Sequence, residues 1–455
     1  MYSSDSWTVR FYMSNVTLRN DGDLEISGDD KSIPGAAVDR QRNQRILITL
    51  SYWATTLAEG SARIIIPLYF AEIGFSPFSI GLSFFFFEAF GLLANIYSGF
   101  FINYYGYKRA FLISLLLHTV ASLGYLLIFP EQGMILSLVL VSALRACRGI
   151  GKEVIKTASS AYIRQFAPPE RRAFGMPIQI LLGGKDSIKG LGIVLGGFLL
   201  TYLNFKLSFL ALGLVTLAFL LIAARWVDDY RERKQVTYAG FFDVNRKLSL
   251  LAWSRALLYA GRDFWLVIPV PLYMNELGFS NVSIATVLAV GLIVSGIAQP
   301  LSADQVKRIW TFFGLTLKPK LRYRGVAITG NLALFLVSVA TLIWHQDETL
   351  FVLAILGYHL VMGIATMPHN YLHLKYAKRK RASVDITHYK TVAQLGKVVA
   401  VPASGLAYGL YGIEGCLIAA TVSIFAATVL IILIGRKGTR DNVLSAITKA
   451  SRLAP

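Results

Sequence analysis

Arg145, Arg148, Lys152 and Lys156 stand three and four residues apart in the stretch LRACRGIGKEVIK, Leu144 to Lys156. At about 100° per residue, that spacing gathers all four onto one stripe, roughly a quarter of a helix circumference wide or less. The stretch continues the apolar run Met134 to Ala143 without a turn signal. At about 1.5 Å per residue, Arg145 then lies roughly halfway across a bilayer. A cation facing lipid at that depth costs several kcal/mol. The stripe must therefore point into protein, a watery cavity or an anionic ligand, and the chemistry it offers is the handling of anions inside a membrane. Two alternatives stand beside this reading. Lys152 and Lys156 are near enough to the helix end to anchor it at the interface. Arg145 and Arg148 could instead pair with Glu88 or another buried acid.

A second pair, Lys185 and Lys189, lies four apart in GGKDSIKGLGIVLGG, where a helix would present both on one face. They face either a ligand path or the acids Asp186 and Glu153. The glycines around them let helices approach closely. Lys390 and Lys397 are seven apart, with Lys397 a candidate cavity residue and Lys390 equally an interfacial anchor. His359 and His369 are lone histidines on aromatic-rich segments, best read as packed and hydrogen-bonded rather than as metal or proton sites. Cys147 and Cys416 both lie in apolar segments, which suggests neither a disulfide framework nor a zinc site. No metal or cofactor is expected.

The elements that must position these groups are membrane helices. The chain has 455 residues, 55% hydrophobic and 16% charged, and its mean hydropathy is +0.54. Such values exclude an ordinary soluble enzyme and a disordered chain. The net charge of +19 would suggest nucleic acid in a soluble protein, but most of the cations sit in short loops between apolar spans. There they orient the chain in a bilayer, and nucleic acid is not an expected partner. Residues 1–45 are polar and acidic, without the apolar core of a signal peptide, and read as a disordered cytoplasmic tail.

Apolar runs of spanning length fall at about 46–70, 79–101, 109–129, 134–158, 175–203, 206–226, 248–273, 281–303, 325–344, 350–371, 386–410 and 413–435. The even connections carry Lys108 and Arg109, the cluster Arg164, Arg171 and Arg172, and further runs up to Lys378 to Arg381. The odd connections are nearly bare of Lys and Arg, Lys206 being the exception. This bias predicts a multi-pass protein with both termini in the cytoplasm.

The halves echo each other. PLYFAEIGFSPFSIG, Pro67 to Gly81, aligns without gaps to PLYMNELGFSNVSIA, Pro271 to Ala285, and the same register sets Glu59 against Asp263. Those two acids are candidate proton carriers or counter-ions, and Glu88 is a third counter-ion. Parallel six-span repeats with a site between them resemble the major facilitator superfamily. GFFINYYGYKR, Gly99 to Arg109, is similar to that superfamily's loop between its second and third spans, with Asn103 in place of the usual acid. The expected fold is thus all-α, with twelve transmembrane helices in two six-helix bundles. Residues 46–226 form the first bundle, 227–247 a cytoplasmic linker, 248–435 the second bundle and 436–455 a cytoplasmic tail.

Within the superfamily the chain resembles ArsJ-type organoarsenical efflux permeases. The motifs are Glu59-Gly60 with Arg63, GIGKEVIK from Gly149, GGKDSIKGLGIVLGG from Gly183, AGRDFWLVIPVPLY from Ala260, HNYLHLKYAKRKRASVDITHYK from His369 and YGIEGCL from Tyr411. Glu59 replaces the family's usual Asp, and Asp186 its Asn. The resemblance implies a plasma (inner) membrane exporter of 1-arseno-3-phosphoglycerate that confers arsenate resistance. Its functional partner would be glyceraldehyde-3-phosphate dehydrogenase, which makes that ester. Arg63 and Arg262 look similar to the arginine pair of the superfamily's organophosphate antiporters, and guanidinium forks onto phosphate or arsenate oxygens. The competing reading is a facilitator for another phosphorylated metabolite or organic anion. An enzyme is not expected, because the sequence has no nucleophile–base pair, metal cluster or phosphate-binding glycine loop outside the helices.

Overall fold

The repeated segment folds twice into the same turn. In the computed structural model, which describes residues 16–18, 24–26, 35–129, 133–166, 176–229, 244–312, 319–377 and 382–434, helix α1 (Gly35–Glu72) passes to α2 (Pro77–Tyr105) around Gly74, whose φ is 89°. In the second half α7 (Pro269–Glu276) passes to α8 (Asn281–Phe312) around Gly278, with φ 85°. A positive φ strains any residue with a Cβ, so glycine is the residue both turns require. Phe75 N donates to Phe70 O at 2.9 Å, as Phe279 N does to Met274 O at 3.0 Å. Ser76 and Ser280 cap the following helices, accepting from Ser79 N at 3.2 Å and Ser283 N at 3.1 Å.

Between these turns lie α3 (Tyr107–Gly124), α4 (Met134–Phe166), α5 (Met176–Trp226) and α6 (Arg246–Leu266). After α8 come α9 (Pro319–Trp344), α10 (Glu348–Tyr376) and α11 (Ala382–Leu433). Gly106, at φ 87°, breaks α2 from α3 inside GFFINYYGYKR. Helix α5 is interrupted at Asn204 (φ 63°) and α11 at Gly412 (φ 63°), so each supplies two spans. The span expected at 248–273 is divided instead. Pro269 and Pro271 lack the amide hydrogens that would carry α6 onward, and the axis restarts as α7. With α6 and α7 taken as one interrupted span, the described residues hold the twelve expected.

Among the described residues, eight helices are long and apolar enough to cross a membrane by length and composition. Helices α1 and α6 are not among them; they carry Glu59 and Arg63, and Arg255, Arg262 and Asp263. Large apolar side chains lie bare on the outside, among them Ile135 at 81% exposure and Leu221 at 63%, which suits lipid and not water.

In the first half α2 packs on α4, and α3 on α4 and α5. In the second, α6 packs on α11, and α10 on α8 and α9. The halves meet along two seams, α5 on α8 and α2 on α11. The seams are close because glycines face them: a Cβ on Gly190 would come 2.8 Å from Ala289 O, and one on Gly405 2.4 Å from Pro77 O.

Residues 1–44 cluster apart from 45–455. Within the tail expected to be disordered, β1 (Val16–Leu18) and β2 (Leu24–Ile26) pair antiparallel, Val16 opposite Ile26. β-branched residues favour that pairing. The rest of that tail before Gly35, most of the 227–247 linker and the 436–455 tail lie outside the described residues.

Candidate functional site

A cavity of about 90 Å³ opens between the halves, and five cations from five helices line it. They are Arg63 of α1, Lys152 of α4, Lys189 of α5, Arg262 of α6 and Lys397 of α11. Asp186 is the one carboxylate among its described lining residues, and His359 also reaches it. Each cation sits where its helix packing puts it. Glycine lets α1 and α5 cross almost backbone to backbone, since a Cβ on Gly60 would lie 2.3 Å from Lys189 O and one on Gly192 2.2 Å from Leu57 O. Ser61 Oγ fastens the crossing by donating to Gly192 O at 2.7 Å. On the other side, a Cβ on Gly396 would lie 1.9 Å from Ala256 O, so α6 and α11 are drawn together just where Lys397 emerges.

The first-half cations are matched by carboxylates. Lys189 Nζ donates to Glu59 Oε1 at 2.8 Å, and Arg63 Nε lies 3.7 Å from the same oxygen. Arg63 Nη2 and Lys152 Nζ share Glu88 Oε1 at 3.7 and 3.5 Å. Glu59 and Glu88 have side chains only 4% and 2% exposed. Buried carboxylates of this kind persist only with cations beside them.

The second half is built differently. Arg262 Nε donates to Asp263 Oδ1 at 2.6 Å. Arg262 and Lys397 both lie on the ring of Tyr259, at 5.1 and 4.6 Å from its centroid. A third cation, Arg255, lies 4.4 Å from the same centroid, and its Nη2 donates to Tyr259 Oη at 3.1 Å and Thr366 Oγ1 at 3.2 Å. Arg255 and Tyr259 are the functional candidates that sequence reasoning missed. Their signal was present, because Arg255, Tyr259 and Arg262 stand four and three apart on one helical stripe.

The fourth-span stripe does not act as a unit. Arg145 and Arg148 are wholly buried and do not line the cavity. Arg145 lies over Phe84 and Phe87, at 3.7 and 4.5 Å from their centroids. The guanidinium nitrogens of both arginines have no hydrogen-bond partner among the described residues. The pairing with Glu88 considered for them goes to Arg63 and Lys152 instead. Only Lys152 of the stripe reaches the cavity, while Lys156 pairs with Glu153.

Of the remaining candidates, Asp263 is 1% exposed beside Arg262, and Asp186 accepts a hydrogen bond from Gln299 Nε2 at 2.9 Å. Lys390 is exposed. His369 is fully buried outside the cavity lining, with no hydrogen bond to its ring nitrogens among the described residues. The side chains of Lys185 and Asn103 lie outside the described residues. Cys147 and Cys416 are both free thiols.

Residues 48–384 match the family model of the Major Facilitator Superfamily. The fold is similar to the crystal structure of the human organic anion transporter MFSD10 (TETRAN), at 13% identity and TM-score 0.62, covering 86% of this chain and 99% of that one. It is likewise similar to a D-xylose-proton symporter, at 13% identity and TM-score 0.63, over 86% of this chain and 97% of the other. A POT family transporter in complex with 5-aminolevulinic acid gives 12% identity and TM-score 0.65, over 87% and 97%. No curated protein matches the chain.

Proposed function

Because the chain belongs to the Major Facilitator Superfamily, and is a multi-pass membrane transporter rather than an enzyme, we propose that it carries a small organic anion through the cavity between its halves. One observation carries this reading: five cations from five helices, drawn from both halves, converge on a single cavity. Desolvating so many cations is costly, and an anionic cargo offsets that cost. The chain shares this fold with an organic anion transporter.

Our finer reading is export of an arsenylated three-carbon phosphate ester, 1-arseno-3-phosphoglycerate, from the cytoplasm across the plasma membrane. It rests on the ArsJ-like motifs, four of whose cations, Arg63, Lys152, Lys189 and Arg262, reach the cavity. In that role glyceraldehyde-3-phosphate dehydrogenase supplies the ester, and both termini are cytoplasmic. Glu59, Glu88 and Asp263 act as counter-ions, each being within an ion pair.

The test is arsenate resistance and intracellular arsenic in an efflux-deficient host expressing the chain, with and without the dehydrogenase. Protection and lowered arsenic only with both support the ester. Protection by neither, at normal membrane abundance, rejects it and leaves the anion reading to be tested with purified protein.

A further inference from the structure

The two halves of the cavity differ in charge. In the first half, Arg63, Lys152 and Lys189 are each within 3.7 Å of Glu59 or Glu88. In the second, Arg262 and Lys397 line the cavity and, with Arg255 outside its lining, crowd the ring of Tyr259; Asp263 is the only carboxylate paired with any of them among the described residues. That carboxylate is committed to Arg262. Arg255 is 3% exposed, and its Nη1 has no hydrogen-bond partner among the described residues. Like charges held this close in a low-dielectric interior repel strongly, and a buried guanidinium nitrogen without an acceptor is costly.

An aromatic face accounts for part of this arrangement, since a ring quadrupole attracts cations. It attracts them weakly, however, and three cations on one ring exceed what it can offset. Among the described residues, Arg255 and Lys397 therefore have no ion-paired carboxylate in their own half.

We propose that the anionic group of the cargo docks on the second half alone, at the cavity-lining Lys397 and Arg262, with Arg255 adding its charge from outside the lining across the Tyr259 ring, and that the site selects a doubly charged oxyanion over a singly charged one. Tyr259 is the positioning residue. Its ring gathers the three cations, and its hydroxyl accepts the Arg255 Nη2 hydrogen, which aims the guanidinium. The first-half cations line the other side, each already beside a carboxylate. This inference rests on the anion reading proposed above and assigns that anion its place and charge.

The experiment is a binding titration on purified full-length protein in nanodiscs, following tryptophan fluorescence or thermal midpoint, with inorganic phosphate or sulfate as the dianion and acetate as the monoanion. The wild type binds the dianions more tightly than acetate. Lys397→Gln and Tyr259→Leu each weaken sulfate binding by about tenfold or more, the loss expected for a hydrogen bond to a charged group. Both variants narrow the sulfate-to-acetate ratio, which a merely structural defect would not do. Lys397→Arg keeps that ratio and shows that the position tolerates change. The paired variant Glu59→Gln with Lys189→Gln, which removes one cation and one anion together, loses less sulfate affinity than Lys397→Gln. A paired variant that loses as much as Lys397→Gln, or a Lys397→Gln protein that binds sulfate normally, overturns the placement while sparing the anion reading. A well-folded wild type that binds none of the three anions overturns both.

Discussion

Glu59 is held from two sides, and this makes the consequences of removing its charge calculable in rank. Lys189 Nζ is 2.8 Å from Glu59 Oε1 and Arg63 Nε 3.7 Å. At an effective dielectric of about 20, these separations correspond to roughly 6 and 4 kcal/mol of Coulomb attraction before desolvation is subtracted. Breaking a buried pair by removing one partner costs about 3–5 kcal/mol net. Glu59→Gln removes the carboxylate oxygen 2.8 Å from Lys189 and 3.7 Å from Arg63, two contacts at once, so it belongs near the top of that range. Lys189→Gln leaves Glu59 with Arg63 and costs less. The double variant places two amides that can hydrogen-bond each other, and it costs less than Glu59→Gln despite carrying one more substitution. The assay is equilibrium or thermal denaturation of purified protein in one detergent or nanodisc, arranged as a double-mutant cycle. A double variant whose loss equals the sum of the single losses would refute the buried pair, since the two positions would then be independent.

Further outcomes follow from other contacts. Arg145→Met should leave the thermal midpoint unchanged or raise it, because the guanidinium has no hydrogen-bond partner among the described residues and lies against Phe84 and Phe87; replacing buried charge with packed apolar volume is commonly neutral or stabilising by about 1–4 kcal/mol. A clear drop in the midpoint would mean that a partner holds Arg145. Asp186→Asn removes the one carboxylate lining the cavity among the described residues while keeping an oxygen for Gln299; anion affinity should rise severalfold in a binding titration, and a fall would show that Asp186 organises the cations. Gly192→Val drives a side chain into Leu57 O, 2.2 Å from its Cβ position. It should cost about 1–3 kcal/mol or more, visible as reduced membrane abundance, and wild-type abundance with wild-type transport would contradict the close crossing. Arg262→Lys should impair transport more than folding, because lysine cannot fork onto an oxyanion; a variant transporting normally at normal abundance would remove Arg262 from the site.

The architecture was largely legible because its signals are local. Apolar run length sets the spans, and the recurrence of Pro67 to Gly81 at Pro271 to Ala285 carries its glycine and serine turn chemistry with it, down to matching caps. The site was legible only in part. A stripe on α4 shows which residues share a face, not what that face meets along its length. Arg145 lies over Phe84 and Phe87 of α2, whereas Lys152, two turns further on, touches Phe87 and also reaches the cavity. Which acids pair with which cations also escaped the sequence. Glu59 and Lys189 are 130 residues apart and meet only because glycines let α1 and α5 touch. The break between α6 and α7 was hidden for the opposite reason: its proline signal is local, but the run around it is as apolar as an unbroken span.

The glycine-lined seams between the halves bear on motion. Where α5 meets α8 and α2 meets α11, glycines bring backbone against backbone at several points, and at those points no side chain stands between the helices. Interlocked ridges resist sliding because each must climb over its neighbour, and a smooth joint presents no such steps. The cost of rolling one half over the other would then fall on the charges lining the cavity, and a bound anion that neutralises them would lower it. In such a device the cargo is the lubricant.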